Sequence, residues 1–183
     1  LRSACEIADE QRAMLKAAGV APPYVLVGHS LGGLYQYVYA RRYPEEVAAL
    51  VLLDATHPHH WATMQQEAPA MAAVVKGARL LFRSVLAREF DDQAVCLDSL
   101  PSAPALQIPV RFLARGEFPV TERGDFEAMV KRLQRDWLAS TGAKNVEVVR
   151  GAGHYLHKDK PDEVARVIKE VAREVGLSAV GTR

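Results

Sequence analysis

The chain has 183 residues, and its 23 lysines and arginines against 22 acidic residues leave a net charge of +1 with the histidines neutral. This near balance of charge offers no footprint for nucleic acid. Hydrophobic residues make up 49% and charged residues 25% of the chain, which is typical of one globular domain and excludes a disordered chain. Cys5 and Cys96 are too few for a disulfide scaffold or a thiolate metal site, but they are compatible with one bridge. The cellular compartment stays undecided.

No segment is predicted to cross a membrane. The longest apolar run, Val47–Leu53, is far shorter than the roughly 20 residues that a bilayer-spanning helix needs. The opening segment, Leu1 to Ala18, carries six charged residues, so no signal peptide is visible in it. The chain starts with Leu and not Met, and we therefore expect that further residues precede it.

Apolar runs and turn residues predict alternating helices and strands. A helix at the start is predicted to end near Ala18, before Gly19. Strands are predicted at Tyr24–Val27, Ala48–Leu53, Val110–Ala114 and Val146–Val149. Further helices are predicted over Leu34–Arg42, about Glu122–Ala139 and Pro161–Val175. Continuous apolar strands separated by helices predict an α/β fold with a mostly parallel sheet covered by helices on both faces.

Residues 58–105 differ from the rest of the chain. They contain a helical stretch rich in Ala, Met and Val from Pro69 to Ala87 and a loop that holds Pro101 and Pro104. We interpret this segment as a helical cap inserted into a single domain. The core would then consist of residues 1–57 and 106–183.

The sequence Gly28-His29-Ser30-Leu31-Gly32 fits the G-x-S-x-G pattern between a predicted strand and a predicted helix. Glycines two positions on either side of Ser30 would leave room for a strained turn that exposes the hydroxyl. The helix behind Ser30 points free backbone N–H groups at the site, and the Leu31 N–H can donate to a developing oxyanion. We therefore predict that Ser30 is a nucleophile.

A serine hydroxyl needs a base to accept its proton, and histidine has a suitable pKa. His154 follows a Gly-Ala-Gly turn at the end of the fourth predicted strand, where a short loop can bring its ring over Ser30. His154 is the predicted base. His157, three positions later, is interpreted as a surface residue.

Three further histidines, His57, His59 and His60, superficially resemble a metal cluster. Their H-x-H-H spacing is not a recognised zinc pattern and no fourth ligand is evident, so we expect no metal. We interpret this loop as solvated or facing the substrate. The predicted substrate contacts are His29, His57 and Trp61.

The third member of a catalytic triad must be a carboxylate, and two positions qualify. Asp54 follows the second predicted strand, next to the strand that leads to Ser30. Glu117 follows the third predicted strand, in a loop that continues with Phe118-Pro119. Both preserve the chain order serine, acid, histidine. Asp54 is the preferred acid and Glu117 the alternative.

The Val-Gly-His-Ser-Leu-Gly-Gly elbow, the Leu-Val-Leu-Leu-Asp strand end and the Gly-Ala-Gly-His turn make the chain resemble the α/β-hydrolase superfamily, in particular its esterase-like members. The resemblance extends from the first helix to the end of the last, near Val175. It implies that Ser30 is the nucleophile, His154 the base and residues 58–105 the cap over the substrate pocket. A serine at the elbow argues against dehalogenase or epoxide hydrolase chemistry, because those relatives use aspartate there.

The chain departs from the superfamily pattern in two ways. Many relatives carry the acid in a Gly-x-x-Asp turn after the strand equivalent to Val110–Ala114; this aspartate is absent here, which favours Asp54. The superfamily sheet resembles eight strands with the elbow after the fifth, whereas the elbow here follows the first recognisable strand. We therefore expect a C-terminal portion of the fold, without the loop that usually supplies a second oxyanion N–H. Strand Tyr24–Val27 would then expose an apolar edge, through which we expect self-association.

The sequence therefore predicts a serine hydrolase that cleaves carboxylic esters through an acyl-enzyme, without metal or cofactor and with a small ester-like molecule as its partner. Thioesters, amides and C–C bonds beside a ketone are alternative substrates. A non-catalytic or partner-dependent binding domain of hydrolase-like fold is the alternative from another function class.

Overall fold

The centre of the computed structural model, which describes residues 2–81, 84–100 and 105–177, is a parallel sheet of four strands. Their order in the sheet is their order in the chain: β1 (Tyr24–His29), β2 (Val47–Leu53), β3 (Val110–Arg115) and β4 (Val146–Val149). Each strand pairs in parallel with the next, so that Val27 lies opposite Val51 and Leu52 opposite Phe112. The predicted parallel α/β fold is confirmed.

Helices connect and cover these strands. Those of the described residues are α1 (Ala4–Ala17), α2 (Leu31–Arg42), α3 (His60–Glu67), α4 (Pro69–Ala78), α5 (Ser84–Asp92), α6 (Asp125–Thr141), α7 (Leu156–Asp159) and α8 (Pro161–Glu174). Ser3 and Glu6 form a capping box at the start of α1, which satisfies backbone N–H groups that the helix leaves unpaired. Gly142 ends α6 in the left-handed conformation, with φ 77°.

The strands are mostly apolar because helices cover both faces of the sheet. On one face, Leu50, Leu52 and Phe112 are buried in a cluster that includes residues of α1, α2 and α6. On the other face, Ala49, Val51 and Leu113 are buried against the apolar side of α8. Neighbouring residues of one strand therefore enter opposite cores, as the pleat of a strand requires.

The segment between β2 and β3 carries α3, α4 and α5, and we call residues 60–92 the inserted segment. The single helical stretch predicted from Pro69 to Ala87 is wrong: α4 ends at Ala78 and a short 3₁₀ turn follows over Arg79–Leu81. Gly77, which has a low helix propensity, lies in the last turn of α4. The predicted loop with Pro101 and Pro104 lies outside the described residues.

Two different contacts hold the inserted segment on the sheet-covering helices. Met64 and Ala72 from α3 and α4 are buried in one cluster with Met129 and Leu133 of α6. On the other side, a disulfide joins Cys5 of α1 to Cys96, four residues after α5 ends. The structure therefore contains the one disulfide bridge that the two cysteines allow.

Strand β1 forms one edge of the sheet within the described residues, and the side chain of Val27 in this strand is 36% exposed. Self-association through this edge stays a prediction. In the part of the chain that the structure describes, no helix combines the length and the apolar composition needed to span a bilayer.

Removal of the disulfide is expected to lower thermal stability. The bridge joins residues separated by 91 positions, so it strongly restricts the unfolded chain. Replacing both Cys5 and Cys96 with Ser should lower the free energy of unfolding by roughly 2–5 kcal/mol, measured by urea unfolding. A reducing agent should destabilise the unsubstituted chain to a similar extent and leave the double variant unchanged. Equal stability of the two chains in oxidising buffer would contradict this prediction.

Candidate active site

The connection between β1 and α2 holds Ser30 in a sharp turn with φ 53° and ψ −126°, a conformation that residues other than glycine rarely adopt. The turn is tight because a Cβ atom on Gly28 would lie 2.5 Å from the carbonyl oxygen of Gly32, and one on Gly33 would lie 2.4 Å from the Cβ of Ala55. A Cβ on Gly32 would meet open space. The elbow pattern therefore locates one required glycine correctly, Gly28, while the other is Gly33 and not Gly32.

Backbone hydrogen bonds hold this turn on the end of β2. The Ser30 N–H donates to the carbonyl oxygen of Leu53 at 3.1 Å, and the Ser30 carbonyl accepts from the N–H groups of Gly33 and Thr56, both at 2.9 Å. Leu31 is the first residue of α2, and N–H groups of a first helical turn have no acceptor within the helix. The Leu31 N–H thus lies beside Ser30, and its role as a hydrogen-bond donor to an oxyanion stays a prediction.

Ser30, His154 and Asp54 lie within hydrogen-bond distance of one another. The Nε2 atom of His154 is 3.1 Å from Ser30 Oγ, and its Nδ1 atom is 2.7 Å from Asp54 Oδ2. Asp54 directly follows β2, with φ 41° and a side chain that is 3% exposed. The structure therefore brings together the predicted nucleophile, base and preferred acid, although His154 lies 124 and 100 residues from its two partners.

The alternative acid, Glu117, lies elsewhere. Its side chain is exposed, and its backbone N–H donates to the carbonyl oxygen of Ala152 at 3.0 Å. Within the described residues, Glu117 forms no hydrogen bond with His154. The geometry therefore places Asp54, and not Glu117, beside the imidazole.

A buried arginine that sequence reasoning missed, Arg115, contacts both Asp54 and His154. The Nε atom of Arg115 donates to Asp54 Oδ2 at 2.6 Å, its Nη1 atom donates to Glu122 at 2.5 Å, and its Nη2 atom lies 2.8 Å from His154 Nδ1. The side chain of Arg115 is 8% exposed. Arg115 is the last residue of β3, and Asp54 directly follows β2. The argument that parallel strands end at one edge of the sheet, which pointed to Asp54, could therefore have pointed to Arg115 as a residue of the site.

Asp54 and Arg115 both face the Nδ1 atom of His154. That nitrogen either carries a proton and donates a hydrogen bond, or presents its lone pair and accepts one. It can therefore pair with only one of the two side chains. Burial acts to raise the pKa of Asp54, but the hydrogen bond from His154 and the charge of Arg115 outweigh burial and lower it. Asp54 is thus an ionised carboxylate, a stronger acceptor than a neutral imidazole nitrogen. The favoured tautomer carries its proton on Nδ1, donates it to Asp54, and leaves Nε2 free to accept from Ser30.

His29, a predicted substrate contact, has another position. Its Nε2 atom lies 2.7 Å from the carbonyl oxygen of His154 and must donate to it, because a carbonyl oxygen only accepts. Its ring centroid is 4.6 Å from that of His154 and 4.7 Å from that of the exposed His157. As far as the described residues form it, the cavity wall does not include His29. His29 thus contacts the loop of His154, and its role as a substrate contact stays a prediction.

A cavity of about 290 Å³ opens beside Ser30 and His154. Its wall is mostly apolar and comes from the inserted segment and from α6. The apolar residues of the wall include Leu31, Trp61, Met64, Met71, Val75, Phe90, Phe126, Val130, Leu133 and Trp137. The predicted substrate contacts Trp61 and His57 both line this cavity, which is large enough for a small organic molecule.

The imidazoles of His57 and His60 are neutral parts of the cavity wall. Burial lowers the pKa of each of them to about 4. The backbone N–H of His59 donates to His57 Nδ1 at 3.1 Å, which places the proton of His57 on Nε2. In the described part of the chain, no group of three or more His, Cys, Asp or Glu side chains is arranged to hold a metal ion.

The chain is similar to known proteins in sequence and in fold. A model of the alpha/beta hydrolase family matches residues 2–167. The uncharacterised protein YbdG of Bacillus subtilis is 32% identical over 57 residues, which are 31% of this chain and 18% of that protein. An uncharacterised protein of Schizosaccharomyces pombe, C23C11.06c, is 49% identical over 41 residues, which are 22% of this chain and 8% of that protein. The chain thus matches less than a fifth of the length of either relative.

Solved structures share the fold at low sequence identity. A thermophilic esterase from Thermogutta terrifontis has a TM-score of 0.59 and 20% identity, over 94% of this chain and 73% of that one. A protein from Pseudomonas aeruginosa whose epoxide hydrolase activity is only proposed has a TM-score of 0.62 and 17% identity, over 96% of this chain and 73% of that one. An α/β hydrolase from a metagenome of lagoon sediments at Mar Chica, Morocco, has a TM-score of 0.57 and 16% identity, over 94% and 70%.

The low pKa of His57 predicts a specific loss of stability in acid. The pKa is about 4 in the folded protein and near 6.5 in an unfolded chain, so the unfolded state binds the proton more readily between these values. The free energy of unfolding should therefore fall as the pH decreases from 6.5 towards 4. His57→Gln should reduce the fall between pH 7 and pH 5 by about 1–2 kcal/mol in urea titrations. The matched variant His59→Gln, at an exposed side chain, should show the full fall, and equal falls in both variants would contradict the prediction.

Proposed function

Since the chain belongs to the alpha/beta hydrolase family, we propose that it is a hydrolase that cleaves carboxylic esters through an acyl-enzyme formed on Ser30. His154 is the general base and Asp54 the acid that orients it. The observation that carries this proposal is the continuous series of hydrogen bonds from Ser30 Oγ to His154 and from His154 to Asp54. Such a series activates a hydroxyl that is otherwise a poor nucleophile.

Acylation begins when the Ser30 oxygen attacks the ester carbonyl carbon and its proton passes to His154 Nε2. The imidazolium that forms is stabilised by the Asp54 carboxylate, which stays ionised. The negative charge on the former carbonyl oxygen is stabilised by the Leu31 N–H at the start of α2. When the tetrahedral intermediate collapses, His154 gives the proton to the departing alcohol and the acyl group remains on Ser30.

Deacylation repeats these steps with water as the nucleophile. His154 accepts a proton from water, the hydroxyl oxygen attacks the acyl carbon, and Ser30 leaves with the proton returned by His154. The products are a carboxylic acid and free enzyme. The described residues supply the proton transfers at defined atoms, and the apolar cavity holds the remainder of the substrate.

Ser30→Ala is expected to abolish the hydrolysis of p-nitrophenyl esters while the fold is retained. The loss of a triad nucleophile lowers kcat by on the order of 10⁶ where it has been measured. The readouts are p-nitrophenol release and covalent labelling with a fluorophosphonate probe, which reacts with an activated serine. Ser140→Ala is the matched control, because the Ser140 hydroxyl is exposed and donates to the carbonyl oxygen of Asp136.

Undiminished turnover in Ser30→Ala would overturn the proposed function. If the unsubstituted chain is neither labelled nor active on esters, thioesters or amides, the protein is a non-catalytic binding domain instead.

The role of the acid is tested by comparing two amide substitutions. Asp54→Asn should lower kcat by about 10⁴, because an amide no longer holds His154 in the productive tautomer. Glu117→Gln should change kcat by less than about tenfold, since the Glu117 side chain is exposed and lies apart from the imidazole. The measurement is steady-state turnover of the same p-nitrophenyl ester. The reverse ranking of the two variants would transfer the role to Glu117.

A further inference from the structure

His60 brings an unpaired imidazole to the cavity beside Ser30. It lines the cavity wall and packs edge-on against Phe126, with 6.0 Å between the two ring centroids. Within the described residues, neither ring nitrogen of His60 forms a hydrogen bond. The residue is partly exposed, and its nitrogens are not among the polar atoms that the described residues close off from solvent without a partner. Both nitrogens are therefore accessible to a ligand.

The accessible side of His60 faces the cavity and not the outer surface. Burial lowers the pKa of His60 to about 4, because most of the ring has lost contact with bulk water. The charges of Asp54, Arg115 and His154 also act on this pKa, so the ring lies on the side of the cavity where these residues are. A ring that is enclosed and yet accessible is accessible from the cavity that it lines.

The charges of the cavity wall restrict what kind of ligand group can bind His60. Its low pKa makes the imidazole neutral at pH 7. The charged side chains Asp54, Arg115 and Glu122 of the wall pair with one another. A carboxylate or ammonium group on the substrate would therefore find no free counter-ion, and burial of an unpaired charge is strongly unfavourable. The group that His60 binds is therefore uncharged.

Among uncharged groups, a hydroxyl matches a neutral imidazole best. One ring nitrogen of a neutral histidine donates a hydrogen bond and the other accepts one. A hydroxyl both donates and accepts, so it pairs with whichever nitrogen faces it, whereas an ether or ketone oxygen pairs only with the N–H. A ligand that fills the cavity also displaces water from His60, and it loses affinity unless it replaces that hydrogen bond.

We propose that the cavity takes esters that carry an uncharged hydroxyl group, and that the imidazole of His60 binds this hydroxyl. The remainder of the substrate packs on the apolar part of the wall. This inference rests on the proposed ester hydrolysis at Ser30. His60 is thereby a specificity-determining residue.

The test uses pairs of esters that differ only by a terminal hydroxyl in place of a terminal methyl group. One set varies the acyl chain and pairs p-nitrophenyl 8-hydroxyoctanoate with the nonanoate, and 6-hydroxyhexanoate with the heptanoate. A second set varies the alcohol and pairs the monoacetate of 1,6-hexanediol with heptyl acetate, and that of 1,4-butanediol with pentyl acetate. Each kcat/KM is divided by the uncatalysed hydrolysis rate of the same ester, which removes differences in intrinsic reactivity.

In at least one pair, the hydroxyl ester should be hydrolysed as efficiently as its methyl partner, or more so. Without a hydrogen-bond partner, the buried hydroxyl would instead make it the poorer substrate by about tenfold or more. The set that contains this pair shows whether the hydroxyl lies on the acyl chain or on the alcohol. A preference for the methyl ester in every pair overturns the inference.

His60→Phe should lower the ratio of hydroxyl to methyl ester turnover in that pair by about tenfold, because phenylalanine fills the same space without a ring nitrogen. His59→Phe is the matched control. Its side chain is exposed and does not belong to the cavity wall formed by the described residues, so the ratio should stay unchanged. An unchanged ratio in His60→Phe, or an equal fall in both variants, overturns the inference.

A binding measurement on Ser30→Ala requires no turnover. Addition of 1-hexanol should shift the imidazole ¹⁵N resonances of His60, because the hydroxyl forms a hydrogen bond with a ring nitrogen, while those of the exposed His59 serve as the internal reference. His60 resonances that stay in place up to the solubility limit of 1-hexanol overturn the inference. Failure of the proposed function is distinguished by equal ester turnover in the unsubstituted chain and Ser30→Ala, a result on which the NMR measurement does not depend.

Discussion

The site depends on the close approach of helix α2 to the ends of β1 and β2. Gly28 and Gly33 permit this approach, since a Cβ on either would overlap atoms of the backbone or of Ala55. The strained conformation of Ser30, which costs on the order of 1–3 kcal/mol, persists because hydrogen bonds to Leu53 and from its neighbours fix it on the sheet. The same contact places the first N–H groups of α2 beside Ser30. The sharp turn at Ser30 and the position of these N–H groups thus have one structural origin.

A second constraint is the compensation of charge around Asp54. A buried carboxylate is costly to desolvate unless a positive charge lies beside it. Arg115 supplies this positive charge and is itself balanced by Glu122, which is partly exposed. Asp54 therefore stays ionised next to an apolar cavity and keeps the imidazole in the productive tautomer. Because Asp54 follows β2, the neighbouring strand β3 can end in a cation, Arg115, that balances the charge of Asp54.

The sequence sufficed to predict those features that depend on local pattern. The strands follow from apolar runs, and the elbow at Ser30 follows from the G-x-S-x-G pattern. The preference for Asp54 follows from its place at a strand end beside the strand of Ser30 and from the absence of an aspartate after Val110–Ala114. Features that depend on distances between remote segments were not predictable. The contact of Arg115 with His154 and the position of His29 beside the His154 loop belong to this class, because composition and spacing do not reveal which side chains meet. The place of Trp137 in the cavity wall belongs here as well, since the helix pattern shows it only as one apolar residue of a buried face.

The arrangement of Ser30, Asp54 and His154 and the shape of the cavity are set by different parts of the molecule. These three residues follow strands β1, β2 and β4 of one parallel sheet. The cavity wall comes mainly from α6 and the inserted segment, which is held by apolar packing on one side and by the Cys5–Cys96 bridge on the other. Substitutions in this segment can therefore change which molecule fits without moving Ser30 or Asp54. Helix α6 lies where the two parts meet, since its residues pack both on the sheet and on the inserted helices.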